Sequence, residues 1–309
     1  MLLSAFRESG DVPLTSVFIV LFSAVIHVWW NYLTKSSQSP KAFPLLKGTV
    51  LMGVAVGTFL TVPLRGVPID VWVYVGASGV IHMLYILSLS SAYEVGDISY
   101  IYPIARSAPA FVPLAAFLTL GETVSLQGGF GILIVVVAIF VLQMRGRAVS
   151  DLQQLWASLT RKDCRWAFAT LGTVVTYSVI DKAGMVTFSR SEAISTTLQG
   201  PLYFLLESAV CYLLFWATML FSPGLSLGMV WRREWSKVVA AALGTMGSYS
   251  LILYVMQSEN VSYIVALRQA SVFLAVLVGW LALKEEYGRS RLVVSAAMLV
   301  GFYLVATAR

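Results

Sequence analysis

Charge is scarce in this chain. Asp, Glu, Lys and Arg make up 12% of its 309 residues, where a soluble domain carries about a quarter. So few charges cannot cover a water-facing surface, and most of the chain is expected to lie in lipid. Cysteine is scarcer still. Cys164 and Cys211 are the only two, and their apolar context excludes a disulfide framework. Histidine is limited to His27 and His82, and no Cys/His cluster has metal-ligand spacing. No metal or cofactor is therefore expected. The apolar segments show no nucleophile–base set, which argues against an enzyme. The N-terminus has Arg7 but then Glu8 and Asp11, without a charged leader, apolar run and small-residue cleavage site. No cleaved signal peptide is expected; the first span serves as the insertion signal.

Long apolar runs are what the chain has instead. Hydrophobic residues reach 58%, and the mean hydropathy is +0.81. About 20 residues at about 1.5 Å each cross the hydrocarbon core. On that length ten spans are predicted, over residues 14–34, 44–64, 71–92, 97–119, 126–144, 165–187, 195–220, 236–258, 261–283 and 289–307. All should be helical, because lipid offers an unpaired backbone group no partner. The breaks carry turn chemistry, as in Ser36-Ser37-Gln38-Ser39-Pro40, Gly66-Val67-Pro68 and Ser222-Pro223-Gly224. The one long connection, Arg145 to Arg165, contains Asp151-Leu-Gln-Gln-Leu-Trp156, which is either a surface-lying amphipathic helix or part of a plain linker.

The net charge of +6 reflects Lys and Arg placed between spans. It reads as the positive-inside rule and not as a nucleic-acid surface. The larger basic set includes Lys35, Lys41, Arg145, Arg147, Arg161, Lys162, Arg232, Arg233 and Arg289. Placing that set in the cytoplasm puts both termini outside. The expected location is the bacterial cytoplasmic (inner) membrane, crossed many times.

The chain also repeats itself. Residues 98–122 and 261–285 both open on Ser-Tyr-Ile, carry an arginine in mid-run (Arg106, Arg268) and end in an acid (Glu122, Glu285). Two halves of five spans each must insert with opposite orientation, which predicts an inverted repeat. The halves are 1–145 and 165–309, joined by 146–164. The fold class expected is an all-α integral membrane protein, ten helices in two inverted five-helix repeats around a central cavity. The repeat is imperfect at its centre: Arg106 aligns with Gln269, one residue past Arg268, and Pro103 with Ala266.

Ionisable residues inside spans carry the functional reading, since each costs at least ~2.5 kcal/mol at a helix centre. His27, His82, Arg106, Glu207 and Arg268 fall near span midpoints, with Asp181 and Lys182 closer to a span end. The second, fifth and tenth spans carry nothing charged in mid-span and read as scaffold or as dimer contacts. Arg106 lies between Pro103 and Pro109, where a broken helix frees backbone carbonyls. It either grips an anion or pairs structurally with Glu207. Arg268 and Gln269 hold the equivalent place. Two arginines favour a carboxylate or phosphonate held in a planar fork. Glu207 then takes an ammonium group or carries a proton. His27, Trp30 and Asn31 share one helix face, as do His82 and Tyr85. Tyr102, Tyr177, Tyr203, Tyr249 and Tyr254 complete the candidate set, while Tyr74, Tyr263 and Tyr303 read as interface anchors. Glu122 and Glu285 read as structural, each favouring the N-terminus of the helix that follows it. Gly48, Gly53 and Gly57, and Gly128, Gly129 and Gly131, read as close helix packing.

Trp30-Asn31 with Lys35, Ser99-Tyr100-Ile101-Tyr102-Pro103-Ile104-Ala105-Arg106, Leu120-Gly121-Glu122 and Leu283-Lys284-Glu285 together resemble the EamA family of the drug/metabolite transporter superfamily, over essentially the whole chain. The resemblance implies ten helices in two inverted repeats. Helices one, three, four, six, eight and nine would line the cavity, with five and ten outside. It implies secondary transport of a small organic metabolite, commonly export, and cytoplasmic termini, against the charge count. One departure matters. Small multidrug-resistance relatives exchange protons through an acid in the first helix, and this chain has none from Leu14 to Thr34. The expectation is a carrier of an anionic or zwitterionic metabolite working by alternating access. The alternative is a multidrug or cationic amine exporter coupled to protons through Glu207. The partners expected are the metabolite, the lipid bilayer and a coupling proton, with no nucleic acid. The chain is expected as a monomer or as a homodimer through peripheral helices.

Overall fold

A computed structural model describes residues 12–39, 42–95, 104–143, 164–219, 226–274 and 288–308. Among them every regular element is helical: eleven helices and no strand. The α-helices are α1 Leu14–Lys35, α2 Ala42–Thr61, α3 Ile69–Val95, α4 Ala108–Leu120 and α5 Leu126–Gln143. They continue as α6 Arg165–Phe188, α7 Thr196–Met219, α8 Leu227–Met256, α9 Val261–Leu267 and α10 Gly288–Ala306, with a 3-10 turn at Leu64–Gly66. Each expected span holds one of them. Five (α1, α2, α3, α7 and α8) are long and apolar enough to cross a membrane. Large apolar side chains lie bare on helix surfaces, among them Phe18, Leu60, Phe117 and Leu126. An outer face of this kind suits lipid better than water.

Local chemistry sets the ends. Ser39 opens α2, its Oγ accepting from the Ala42 amide at 3.2 Å, as an N-terminal cap does. Gly121 ends α4 in the left-handed conformation, φ 70°, which only glycine adopts without strain. The eighth helix starts at Leu227, nine residues before the apolar run that marked it in the sequence. Arg232, Arg233, Glu234 and Lys237 are tolerant of helix, so the coil does not stop where hydrophobicity does.

The chain forms two compact units. The first comprises Met1–Phe18, Leu84–Val179 and Glu259–Arg309; the second comprises Ile19–Met83 and Ile180–Ser258.

In the first unit α5 packs along α10. A Cβ on Gly131 would lie 2.8 Å from the Gly301 carbonyl, and one on Gly301 would lie 2.9 Å from the Gly131 carbonyl. Gln127 Nε2 then donates to the Thr307 carbonyl at 2.9 Å and to Thr307 Oγ1 at 2.7 Å. Glu122, buried, accepts from the Val261 amide at 3.0 Å and from Ser262 Oγ at 3.2 Å. It thus caps α9, a helix remote from it in sequence. Glu285 lies outside the described residues. Tyr263 is no interface anchor: it is buried, its hydroxyl accepts from the Ser125 amide at 3.0 Å, and Gly128 makes room for its ring.

In the second unit α2, α7 and α8 pack together, and Gly48 accommodates the ring of Tyr212. Among the described residues a Cβ on Gly53, Gly57 or Gly129 would meet nothing within 4 Å, so there only half of the glycines read as packing positions act as such.

Candidate functional site

Both mid-run arginines stand at interruptions of a helix. In the first half, helical turns at 104–106 stop at Ser107, whose amide and Oγ both bond the Ile104 carbonyl, at 3.1 Å and 2.7 Å. The chain then re-enters helix at Ala108 with Pro109 in the first turn, where a missing N–H costs nothing. In the second half α9 ends at Leu267 and Arg268 follows directly. The amides of Gln269, Ser271 and Val272 bond three residues back instead of four. Such tightening inside a longer helical run marks a hinge. Arg106 and Arg268 are both half-buried. Gln269 is buried, its Nε2 spent on the Val265 carbonyl at 3.3 Å and its Oε1 without a hydrogen-bond partner among the described residues. Tyr102 and Pro103 lie outside the described residues. Tyr85 and Tyr177, also in the first unit, meet edge to face at 5.8 Å.

The second unit holds a dense polar cluster. Ser78 and His82 lie one turn apart on α3, Tyr203 and Glu207 one turn apart on α7, with Asp181 on α6 and Tyr249 on α8. Asp181 is fully buried and Glu207 is 2% exposed. Ser78 Oγ stands 2.5 Å from Asp181 Oδ1 and 2.8 Å from Glu207 Oε2. Tyr249 donates to Asp181 Oδ2 at 2.5 Å, and Tyr203 lies 3.4 Å from Oδ1. His82 Nδ1 is 3.1 Å from both Ser78 Oγ and the Ser78 carbonyl, and 3.8 Å from Glu207 Oε2. A carbonyl only accepts, so that contact fits a ring carrying its hydrogen on Nδ1.

Hydrogen counting constrains this cluster. A serine hydroxyl has one hydrogen and two lone pairs. Ser78 therefore donates to one carboxylate only, and its short contact with the other needs a further hydrogen or a cation. Two carboxylates joined through one hydroxyl, away from water, also repel one another. The arrangement is built around a positive charge: a proton, a metal ion or an ammonium group. His82, Asp181 and Glu207 each offer a ligand atom, all within 4.8 Å of one another. That makes them a candidate cation-binding set which the sequence, read as metal-free, did not suggest.

Glycine brings the helices this close. A Cβ on Gly79, beside Ser78, would fall 2.6 Å from Val210 Cβ and 2.8 Å from the Glu207 carbonyl. One on Gly184, beyond Asp181, would fall 2.5 Å from Tyr203 Oη. Asp181, placed in the sequence towards a span end, sits at the centre of the cluster. Lys182 follows it but points elsewhere, since adjacent helical residues do not share a face. Its Nζ donates to the Met256 carbonyl at 2.9 Å, at the end of α8, where a cation suits the helix dipole.

Of the other predicted residues of this unit, Tyr254 lies on α8 and His27, Trp30 and Asn31 lie on α1. Asn31 spends its amide on the His27 carbonyl at 2.7 Å. The rings of His27 and Trp30 meet edge to face at 5.0 Å. Lys47, on α2, places its Nζ 4.4 Å from the centre of the Trp30 ring. Lys47, near the start of α2, is 6% exposed.

The architecture is shared with a solved structure described only as "Crystal structure of protein". The two agree with a TM-score of 0.68 at 20% identity, over 96% of this chain and 98% of that one. That likeness shows a common fold and says nothing of activity. No protein-family model matches the chain, and no curated protein matches it.

Proposed function

We propose that this chain is a secondary transporter of a small organic metabolite, in the manner of the drug/metabolite transporters that its motifs resemble. Ten spans in two inverted repeats cross the cytoplasmic membrane, and the Asp181–Glu207 pair holds the positive charge that drives or accompanies transport. The observation carrying this reading is the single Ser78 hydroxyl set between two buried carboxylates from different helices. Bare apolar helix faces support the membrane assignment. Buried ionisable groups within apolar helices are costly and mark ion or substrate paths. A pair that holds a positive group is neutralised; a pair that holds none keeps two mutually repelling charges. A conformational equilibrium responds to a ligand only through such a difference between states. The buried acids favour a solute carrying a positive group, either a zwitterion or an amine, over the purely anionic solute that two arginines alone would favour.

Purified protein in liposomes tests this. Counterflow of labelled amino acids and amines should saturate, accelerate with solute on the far side, and respond to an imposed proton gradient. Glu207→Gln should abolish that response. Flux that neither saturates nor shows trans-acceleration would refute the carrier reading.

A further inference from the structure

The first turns of α8 reach beyond the apolar part of that helix. Its 30 residues, Leu227–Met256, run about 45 Å, whereas the hydrocarbon core is about 30 Å thick. The apolar run starts only at Val238. Trp235 thus lies about 4.5 Å, and Trp231 about 10 Å, outside that run along the helix axis. Both fall in or beside the headgroup layer, which is about 5–8 Å thick on each side of the core.

The fold sorts the charges of this segment. Val230, Glu234 and Val238 are buried and, spaced by four, share the inner face. Val230 and Val238 pack with Ala42 and Phe43 at the start of α2. Glu234 Oε1 accepts from the Gln38 amide at 3.2 Å, in the turn between α1 and α2. Arg232 and Arg233 are exposed, and neither has an ion-pair or hydrogen-bond partner among the described residues. Trp231 is 42% and Trp235 56% exposed. The one acid of residues 227–237 therefore points inward, and the outer face carries positive charge only.

Unpaired arginine beside exposed tryptophan suits a lipid phosphate. Arg232 and Trp235, three residues apart, are neighbours on the helix surface. A guanidinium can bond two phosphate oxygens at once, and an indole adds one N–H donor. Tryptophan rings also settle at the level of the headgroups. Arg233, on the other flank, adds to the positive field.

We infer that the outer face of residues 231–235 binds an anionic phospholipid. This rests on the membrane-spanning part of the proposed function and is independent of the solute and of the acid cluster. The bound lipid sets the depth of α8, the helix that brings Tyr249 to Asp181.

Thermal unfolding of the full chain in detergent tests it, with phosphatidylglycerol or phosphatidylcholine added to the micelles. A ligand of the folded state stabilises by mass action, so phosphatidylglycerol should raise the melting temperature more. Native mass spectrometry should find it retained. Arg232→Gln should weaken its binding about fivefold, and Arg232→Gln with Arg233→Gln about twenty- to thirtyfold. Lysine at both positions should keep most of the affinity, and Arg65→Gln, beyond the other end of α2, should change nothing. Equal stabilisation by the two lipids overturns the inference, as does phosphatidylglycerol binding unchanged in the double glutamine variant. An equal effect of inorganic phosphate, marking a free-anion site, or of a soluble acidic peptide, marking a protein partner, overturns it too. Saturable counterflow in phosphatidylcholine liposomes would in each of these cases leave the transporter reading standing. A chain that stays dissolved and folded without detergent would overturn both.

Discussion

Asp181→Asn is the sharpest test of the acid cluster. The carboxylate has no exposure to solvent and receives three hydroxyls, from Ser78 and Tyr249 at 2.5 Å each and from Tyr203 at 3.4 Å. An amide keeps one accepting oxygen and turns the other position into a donor. Whichever way it faces, a short hydroxyl contact loses its acceptor. A hydrogen bond to a charged group is worth about 1.5–3 kcal/mol. The substitution also removes one of two neighbouring negative charges, which works in the opposite direction. Folding stability should therefore fall by less than about 3 kcal/mol. Cation binding has no such offset, because one carboxylate remains where two stood. A loss of about 1.4 kcal/mol is tenfold in affinity, so the expected weakening is about ten- to a hundredfold. The assay is paired: thermal unfolding in detergent, then proton-driven uptake in liposomes. A variant that is folded, transports at the wild-type rate and keeps the wild-type response to a proton gradient would refute the role given to Asp181.

Ser78→Ala removes the bridge and exposes the acids to one another; unfolding should become easier by about 1–3 kcal/mol, read in a thermal melt, with uptake impaired. Gly79→Ala forces a methyl group against the Glu207 carbonyl and should cost about 1–3 kcal/mol as overpacking; wild-type stability would contradict the close approach. Glu122→Ala leaves the buried Val261 amide without its acceptor and should cost about 1–3 kcal/mol, whereas Glu122→Gln, which keeps an oxygen, should cost less. Gly131→Ala should destabilise through contact with the Gly301 carbonyl, again by about 1–3 kcal/mol, while Gly129→Ala should be near neutral.

Much of the fold was legible because the length of an apolar run is a local property. Each expected span holds a helix, and Pro109 stands in the first turn after the interruption near Arg106. The start of α8 was not legible, since charged residues prolong a helix past its apolar part. The site was harder to read. Glu207, His82, Tyr203 and Tyr249 stood out as polar groups in apolar runs, and the structure brings them together. Asp181 was discounted for its position along a span, but distance from a helix end does not say which neighbour a residue faces. Ser78 carries no charge, and only its placement between two acids gives it importance. Glu122 was expected to favour the helix that follows it, and its bonds to α9 were not legible because that contact is remote in sequence.

That remoteness bears on how the chain is made. Glu122 and the Val261 amide are separated by 139 positions. As the chain emerges from a ribosome, the acid arrives long before the helix it caps. Until residue 261 follows, α4 ends in a carboxylate that must stay hydrated or find another partner. Contacts closed this late slow assembly, because the intervening chain has to be ordered first. The end of α4 thus reaches its final contacts only once α9 has been made.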